Sequence, residues 1–288
     1  GQTAAEAGVC GNCHLPHNGN GPRMWARAPF PGVDPVSSLC QSCHNLKGIA
    51  KDKLVGNYSH PVNAPIANIG ITAKGGEWTS SRQPAGQEKA IKSLPLYDSK
   101  GEPAPEGGNV TCGACHNPHN WSSVPHADEG KDPREIKGSS ETSFLRLPND
   151  NKATLCANCH VDKGPVALSK HNLAISAPAE KNLKGKTTAE TGVCGACHLT
   201  HNGNGPKMWA RNTGEGQDDI EKRCASCHRK DEVAGKKLTG ANSHPLRVDL
   251  KKVGGQTELP LFAAEGKQDN INGKIACATC HNLHQWNP

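Results

Sequence analysis

Residues 10–44 read CGNCHLPHNGNGPRMWARAPFPGVDPVSSLCQSCH. Two C-x-x-C pairs lie here, Cys10/Cys13 and Cys40/Cys43, and each is followed at once by a histidine, His14 and His44. The pattern returns at Cys112/Cys115, Cys156/Cys159, Cys194/Cys197, Cys224/Cys227 and Cys277/Cys280, followed by His116, His160, His198, His228 and His281. Seven pairs therefore use all 14 cysteines. C-x-x-C-H is the attachment signature of c-type haem. The chemistry requires the spacing: two thiols add across the two vinyl groups of one porphyrin, and the next residue falls under the iron as proximal ligand. Zinc knuckles, disulfides and thioredoxin-like pairs are the competing readings of C-x-x-C. None of them explains a histidine after every pair. Histidine is only 15 of 288 residues, so chance does not place it there seven times in seven. The expected cofactors are seven covalently bound c-type haems.

Composition agrees. Only 34% of the residues are hydrophobic and 3% aromatic, against about 45–50% apolar in ordinary globular domains. A chain this poor in apolar side chains is either disordered or filled by something other than side chains, and porphyrin faces fill that need. With 32 Gly and 21 Pro, short elements and many turns are expected. The predicted fold is mostly coil with short α-helices at the motifs and little or no sheet, elongated and packed around haems. No stretch is long and apolar enough to span a bilayer. No charged-then-apolar leader opens the sequence, so Gly1 reads as the start of a processed or trimmed form.

Eight histidines remain after the proximal seven: His17, His60, His119, His126, His171, His201, His244 and His284. Seven irons need seven distal ligands, so the supply fits bis-histidine ligation throughout with one to spare. Methionine cannot compete, because only Met24 and Met208 are present. His17, His119, His201 and His284 occur as C-x-x-C-H-x-x-H, three residues past a proximal ligand. Such a residue can hardly pass round its own porphyrin, so it is expected to reach a neighbouring iron. His60 and His244 sit in matching contexts, NYSHP and ANSHP, and His171 completes the set. His126 has no repeat partner and reads as an ordinary loop histidine.

The chain repeats itself. GQTAAEAGVC (1–10) matches GKTTAETGVC (185–194), and LPHNGNGPRMWAR (15–27) matches LTHNGNGPKMWAR (199–211), an offset of 184 that also relates Cys40 to Cys224 and His60 to His244. Further on, the offset is 165, relating Cys112 to Cys277 and Trp121 to Trp286. The first copy therefore carries 19 extra residues, placed at about 69–87 as a surface loop. This gives a first trihaem repeat over 1–130, a connecting segment over 131–184 with the fourth haem, and a second trihaem repeat over 185–288. The Met-Trp pairs at 24–25 and 208–209 recur at equivalent positions and are read as packing against porphyrin.

A formal charge of +6 suggests nucleic acid or an anionic membrane until the cofactors are counted. Fourteen propionates outweigh seven ferric cores and bring the oxidised total to about −1. Lys and Arg serve mainly to neutralise propionates, and nucleic-acid binding is not expected.

On CGNCHLPH, LCQSCH, SHPV, LPLYDSKG and VTCGACHNPH, the chain resembles multihaem c-type cytochromes of the doubled C-x-x-C-H kind. The resemblance implies export, maturation outside the cytoplasm and electron transfer, with other redox proteins or extracellular acceptors as partners. Some relatives polymerise into extracellular filaments with a continuous haem row, in which a histidine of one subunit can complete a haem of the next. For such sharing, His17 and His284, nearest the chain ends, are the candidates. The location implied is extracellular or at the cell surface, with the periplasm as the alternative. Bis-histidine iron leaves no open position for catalysis. All seven motifs end in His, so a carrier is expected rather than an enzyme.

Overall fold

The computed structural model describes residues 3–69, 71–74, 77–80, 94–119, 121–122, 136–137, 144–237, 239–240 and 242–285. Most of this chain is coil and turn. Among the described residues the α-helices are α1 (Ala4–Gly11), α2 (Pro35–Gln41), α3 (Cys112–Cys115), α4 (Leu173–Ser176), α5 (Thr188–Gly195), α6 (Asp219–Ala225) and α7 (Cys277–Cys280). They are short because each does one job, which is to form the turn that carries a C-x-x-C-H motif or to lead into it. Only α4 lies outside a motif.

The helices repeat as the sequence does. α1 and α5 each open on a capping box, in which Thr3 and Glu6, or Thr187 and Glu190, satisfy each other's backbone N–H groups. Each then kinks at a glycine of positive φ, Gly8 at 67° and Gly192 at 68°. α2 and α6 are capped by Asp34 and Asp218, whose carboxylates accept from two backbone amides at the helix start. All four helices end one residue past the first cysteine of a motif, Cys10, Cys40, Cys194 or Cys224. α3 and α7 are themselves the motif turns at Cys112 and Cys277.

Among the described residues, strand pairing is limited to two-stranded ladders and isolated bridges. Ala64–Pro65 pairs with Asn109–Val110, Ile71–Lys74 with Glu77–Ser80, and Trp121–Ser122 with Ile136–Lys137. The second ladder lies inside the extra segment of the first copy, and the rest of that segment falls largely outside the described residues. His126 lies outside them too. The chain divides into two compact units, Gly1–Asn149 with Thr154–Val161, and Asp150–Ala153 with Asp162–Pro288. The division falls within the connecting segment. In the first unit the buried apolar cluster is Ile66, Leu94 and Leu96, flanked by Val110, Leu147, Leu155 and the motif cysteine Cys159. For a unit of this size that is a small side-chain core, and a cofactor thiol stands at its edge.

Candidate haem sites

All seven motifs adopt one geometry. The histidine N–H donates to the carbonyl of the first cysteine in every case: His14 to Cys10 at 2.8 Å, His44 to Cys40 at 3.0 Å, His116 to Cys112 at 3.0 Å, His160 to Cys156 at 2.8 Å, His198 to Cys194 at 2.8 Å, His228 to Cys224 at 2.9 Å and His281 to Cys277 at 3.0 Å. This is one α-turn, and residues three and four apart on a turn share a face. Both thiols and the imidazole are thus presented together.

A second backbone contact orients the ring. Nδ1 of His14 lies 2.9 Å from the Arg23 carbonyl, that of His44 3.1 Å from Lys53, that of His198 2.7 Å from Lys207 and that of His228 3.1 Å from Lys237. A carbonyl only accepts, so Nδ1 carries the proton and Nε2 keeps its lone pair for a metal. The anchor sits nine residues past the histidine each time and is always Arg or Lys. That spacing is visible in the sequence and is a signal the motif reading missed.

The distal candidates are anchored as well. His60 and His244 each donate from Nδ1 to the carbonyl of the following proline, at 3.1 and 2.9 Å. Four imidazole pairs have ring centres 6.0–6.2 Å apart. His14 and His119 have ring centres 6.0 Å apart and planes 22° apart, and His198 and His284 have 6.1 Å and 24°. His60 and His160 have ring centres 6.2 Å apart with planes at 74°, and His171 and His228 have 6.2 Å and 45°. Two imidazoles that ligate one iron at about 2 Å have ring centres about 6 Å apart, the spacing of these four pairs. Burial lowers the proton affinity of His60, His171 and His198, which favours the neutral, ligating form. No group of three or more His, Cys, Asp or Glu converges on one point among the described residues. The donors come in twos, as they must when a porphyrin provides the other four.

Each pair joins one proximal and one distal candidate of the sequence reading. The two pairs that use C-x-x-C-H-x-x-H histidines, His14 with His119 and His198 with His284, are repeat equivalents. Each reaches a motif other than its own. His17, His201 and His244 are exposed. Trp25 and Trp209 pack edge-on against His14 and His198, at 5.5 and 5.9 Å with planes 87° apart. The expected packing role of these tryptophans is thus directed at the proximal imidazole.

The thiols show which motifs are neighbours. In the first unit, burial and the nearby Cys43 raise the Cys13 thiol. Cys40 donates a hydrogen bond to Cys112, which holds Cys40 protonated and brings Cys112 down to about 7. Burial and then Cys156 push Cys115 up to about 11, and burial and then Cys115 push Cys159 up to about 12. In the second unit, burial and then Cys227 push Cys197 up to about 11, and Cys224 donates to Cys277. Helix packing agrees, with α2 against α3 and α6 against α7. Motifs therefore touch in chain order, first to fourth in one unit and fifth to seventh in the other.

Residues 3–49 and 187–233 match the family model of the doubled CXXCH motif. The chain carries that motif twice. Doubled CXXCH motifs indicate covalently bound c-type haem and support a multihaem cytochrome for electron transfer. The two matches cover the first two motifs of each repeat copy, the segments that also share capping boxes, glycine kinks and histidine anchors. No curated protein and no solved structure matches the chain. No described helix is long and apolar enough to cross a membrane.

Proposed function

We propose that the chain conducts electrons along seven bis-histidine c-type haems, arranged in the order of their motifs. The fourteen cysteines hold the porphyrins, and His14, His44, His116, His160, His198, His228 and His281 are the proximal ligands. His17, His60, His119, His171, His201, His244 and His284 are the distal ones. The observation that carries this reading is the set of four imidazole pairs 6.0–6.2 Å apart, each joining different motifs or segments. A distal ligand borrowed from another motif draws two haems together, which suits electron hopping and involves no bond chemistry. With both axial positions filled by imidazole and no methionine ligand, potentials are low and the irons bind no substrate.

Within this function the chain acts outside the cytoplasm, at the cell surface or beyond it, as the subunit of a polymerising cytochrome filament. Duplicating a three-haem copy, over 1–130 and 185–288 around a one-haem connector, lengthens a haem row. It adds nothing to a single active site. Intact-mass measurement of the native chain is expected to give seven added haems, and its absorption and EPR spectra low-spin iron. Electron micrographs of native material are expected to show thin fibres of uniform width. Fewer haems would remove the conduit, whereas monodisperse particles would leave a discrete carrier in place of the filament.

A further inference from the structure

One buried cation in the second unit has more donors than acceptors. Arg211 is 7% exposed, its Nε donates to the Ala196 carbonyl at 3.3 Å and its Nη1 to the Glu180 carboxylate at 2.7 Å. Nη2 is buried and meets no acceptor among the described residues. A buried donor left unmet on a charged group carries a desolvation cost that an arriving acceptor removes. Two residues back, Trp209 Nε1 is buried and unmet as well. Its repeat equivalent Trp25 donates to Ser42 Oγ at 2.9 Å, a bond that Trp209 does not make with Ser226, the counterpart of Ser42.

Arg211 and Ser226 both line a cavity of about 460 Å³, together with Glu180, Lys181, Arg229 and Glu232. Glu180 pairs with Arg211 and Glu232 with Arg229, each at 2.7 Å. Three cations thus meet two carboxylates, and the wall keeps a net positive charge. In the first copy Arg27, the equivalent of Arg211, is exposed. An exposed cation keeps its water and gains little from an anion.

The charge of Arg211 reaches the thiols of Cys197 and Cys227, one from the fifth motif and one from the sixth. In a c-type haem the thioether bonds and the propionates lie on opposite edges of the porphyrin. An arginine beside both thiols therefore lies away from the propionates of those two haems, and the acceptor that suits it comes from solution.

We infer that the cavity beside Arg211 binds one dissolved oxyanion of the phosphate or carboxylate class, with Arg211, Arg229 and Lys181 as its cationic wall. Negative charge there favours ferric over ferrous iron at the fifth and sixth haems, and by linkage the oxidised protein holds the anion more tightly. That coupling rests on the conduit proposed above, whereas the anion site itself does not.

The test is calorimetric titration of the purified, haem-loaded full chain with inorganic phosphate, which is expected to fill one site. Arg211→Gln should weaken it at least tenfold, the worth of a hydrogen bond to a charged group. Lys181→Gln, at an exposed position that does not endanger folding, should weaken it about threefold. Arg27→Gln should leave it unchanged. Haem potentials should move negative with phosphate and saturate with the calorimetric site. No phosphate uptake would overturn the inference. Equal uptake by the wild type and both site variants would do so too, since that is an adventitious ion only. So would potentials that stay fixed at full occupancy. Infrared spectra with isotope-labelled haem propionates give the last check: a propionate band displaced by Arg211→Gln would overturn the inference, because a haem would then supply the acceptor. Phosphate bound at this site in a chain without low-spin haem would instead sink the conduit and leave the site standing.

Discussion

A proximal imidazole whose Nδ1 proton is held by a backbone carbonyl has only Nε2 to offer, and in His14, His44, His198 and His228 that carbonyl belongs to the basic residue nine positions on. The constraint costs no side chain, because the anchor is main chain, and it fixes tautomer and ring direction before any metal arrives. The proposed distal ligands carry the more specific prediction. His119 faces His14, and His284 faces His198. Replacing either by alanine is expected to convert one haem of seven to high-spin iron that takes up one equivalent of carbon monoxide, with the remaining haems unchanged. Magnetic circular dichroism reads both spin states. If His119→Ala instead perturbed the haem at its own motif, on Cys112/Cys115, the crossed pairing would be wrong. The motif and its proximal residue were legible in the sequence because they are local, fixed by a four-residue spacing. The pairing was not. His60 and His160 are a hundred residues apart, and only tertiary contact brings them within 6.2 Å.

At the scale of the elements, the haem turns are too short to hold themselves. Isolated helices below about 12–15 residues are marginal in water, and α1 and α5 have eight residues each. Capping and backbone shape therefore matter more here than propensity. Thr187→Ala removes the hydroxyl that accepts from the Glu190 amide and donates to its carboxylate, and is expected to cost about 1 kcal/mol. Gly192 sits two residues before Cys194 at φ 68° and ψ −179°, a region that side chains avoid. Gly192→Ala is expected to cost about 1–3 kcal/mol and to lower occupancy of the fifth haem, readable by intact mass. Gly8→Ala should do the same to the first haem, since a Cβ there meets nothing within 4 Å and backbone strain alone is tested. Breaking the Arg211–Glu180 pair with Glu180→Ala leaves a buried guanidinium uncompensated, which is expected to cost about 3–5 kcal/mol in denaturant unfolding of the second unit. The caps were present in the sequence as T-x-x-E, D-P and D-D, and the glycine kinks as the matching A-G-V and T-G-V. That residues 179–183 line one cavity with Arg211 and Arg229 was not legible, because nothing local in A-E-K-N-L says which face it meets.

For the molecule as a whole, the question is what holds 288 residues together when so few of them are apolar. Among the described residues the buried hydrophobic side chains are scattered, five of them alanine, and they gather into a cluster of only three. Several large ones, among them Val9, Leu46, Leu168 and Ile271, are at least 70% exposed. At about 25 cal/mol per Å² of apolar surface buried, so sparse a core falls well short of the backbone entropy of ordering the chain, about 1–2 kcal/mol per residue. Porphyrins change that balance in two ways. In the proposed arrangement each buries two apolar faces, and its thioether and iron bonds would tie motif to distal histidine, closing long loops such as the one from His60 to His160. Folding should therefore be conditional on haem attachment. The chain expressed without cytochrome maturation is expected to show no cooperative thermal transition, little helical circular dichroism and rapid proteolysis, whereas the mature protein melts cooperatively and resists the same protease. The dependence should also be graded. A variant with both cysteines of the second motif replaced by alanine removes the haem proposed at a motif whose thiols neighbour those of the first and third, and it should loosen the first unit while the second keeps its protection against hydrogen exchange. If the unmodified chain instead folded cooperatively, side chains alone would suffice, and the low apolar content would need another cause.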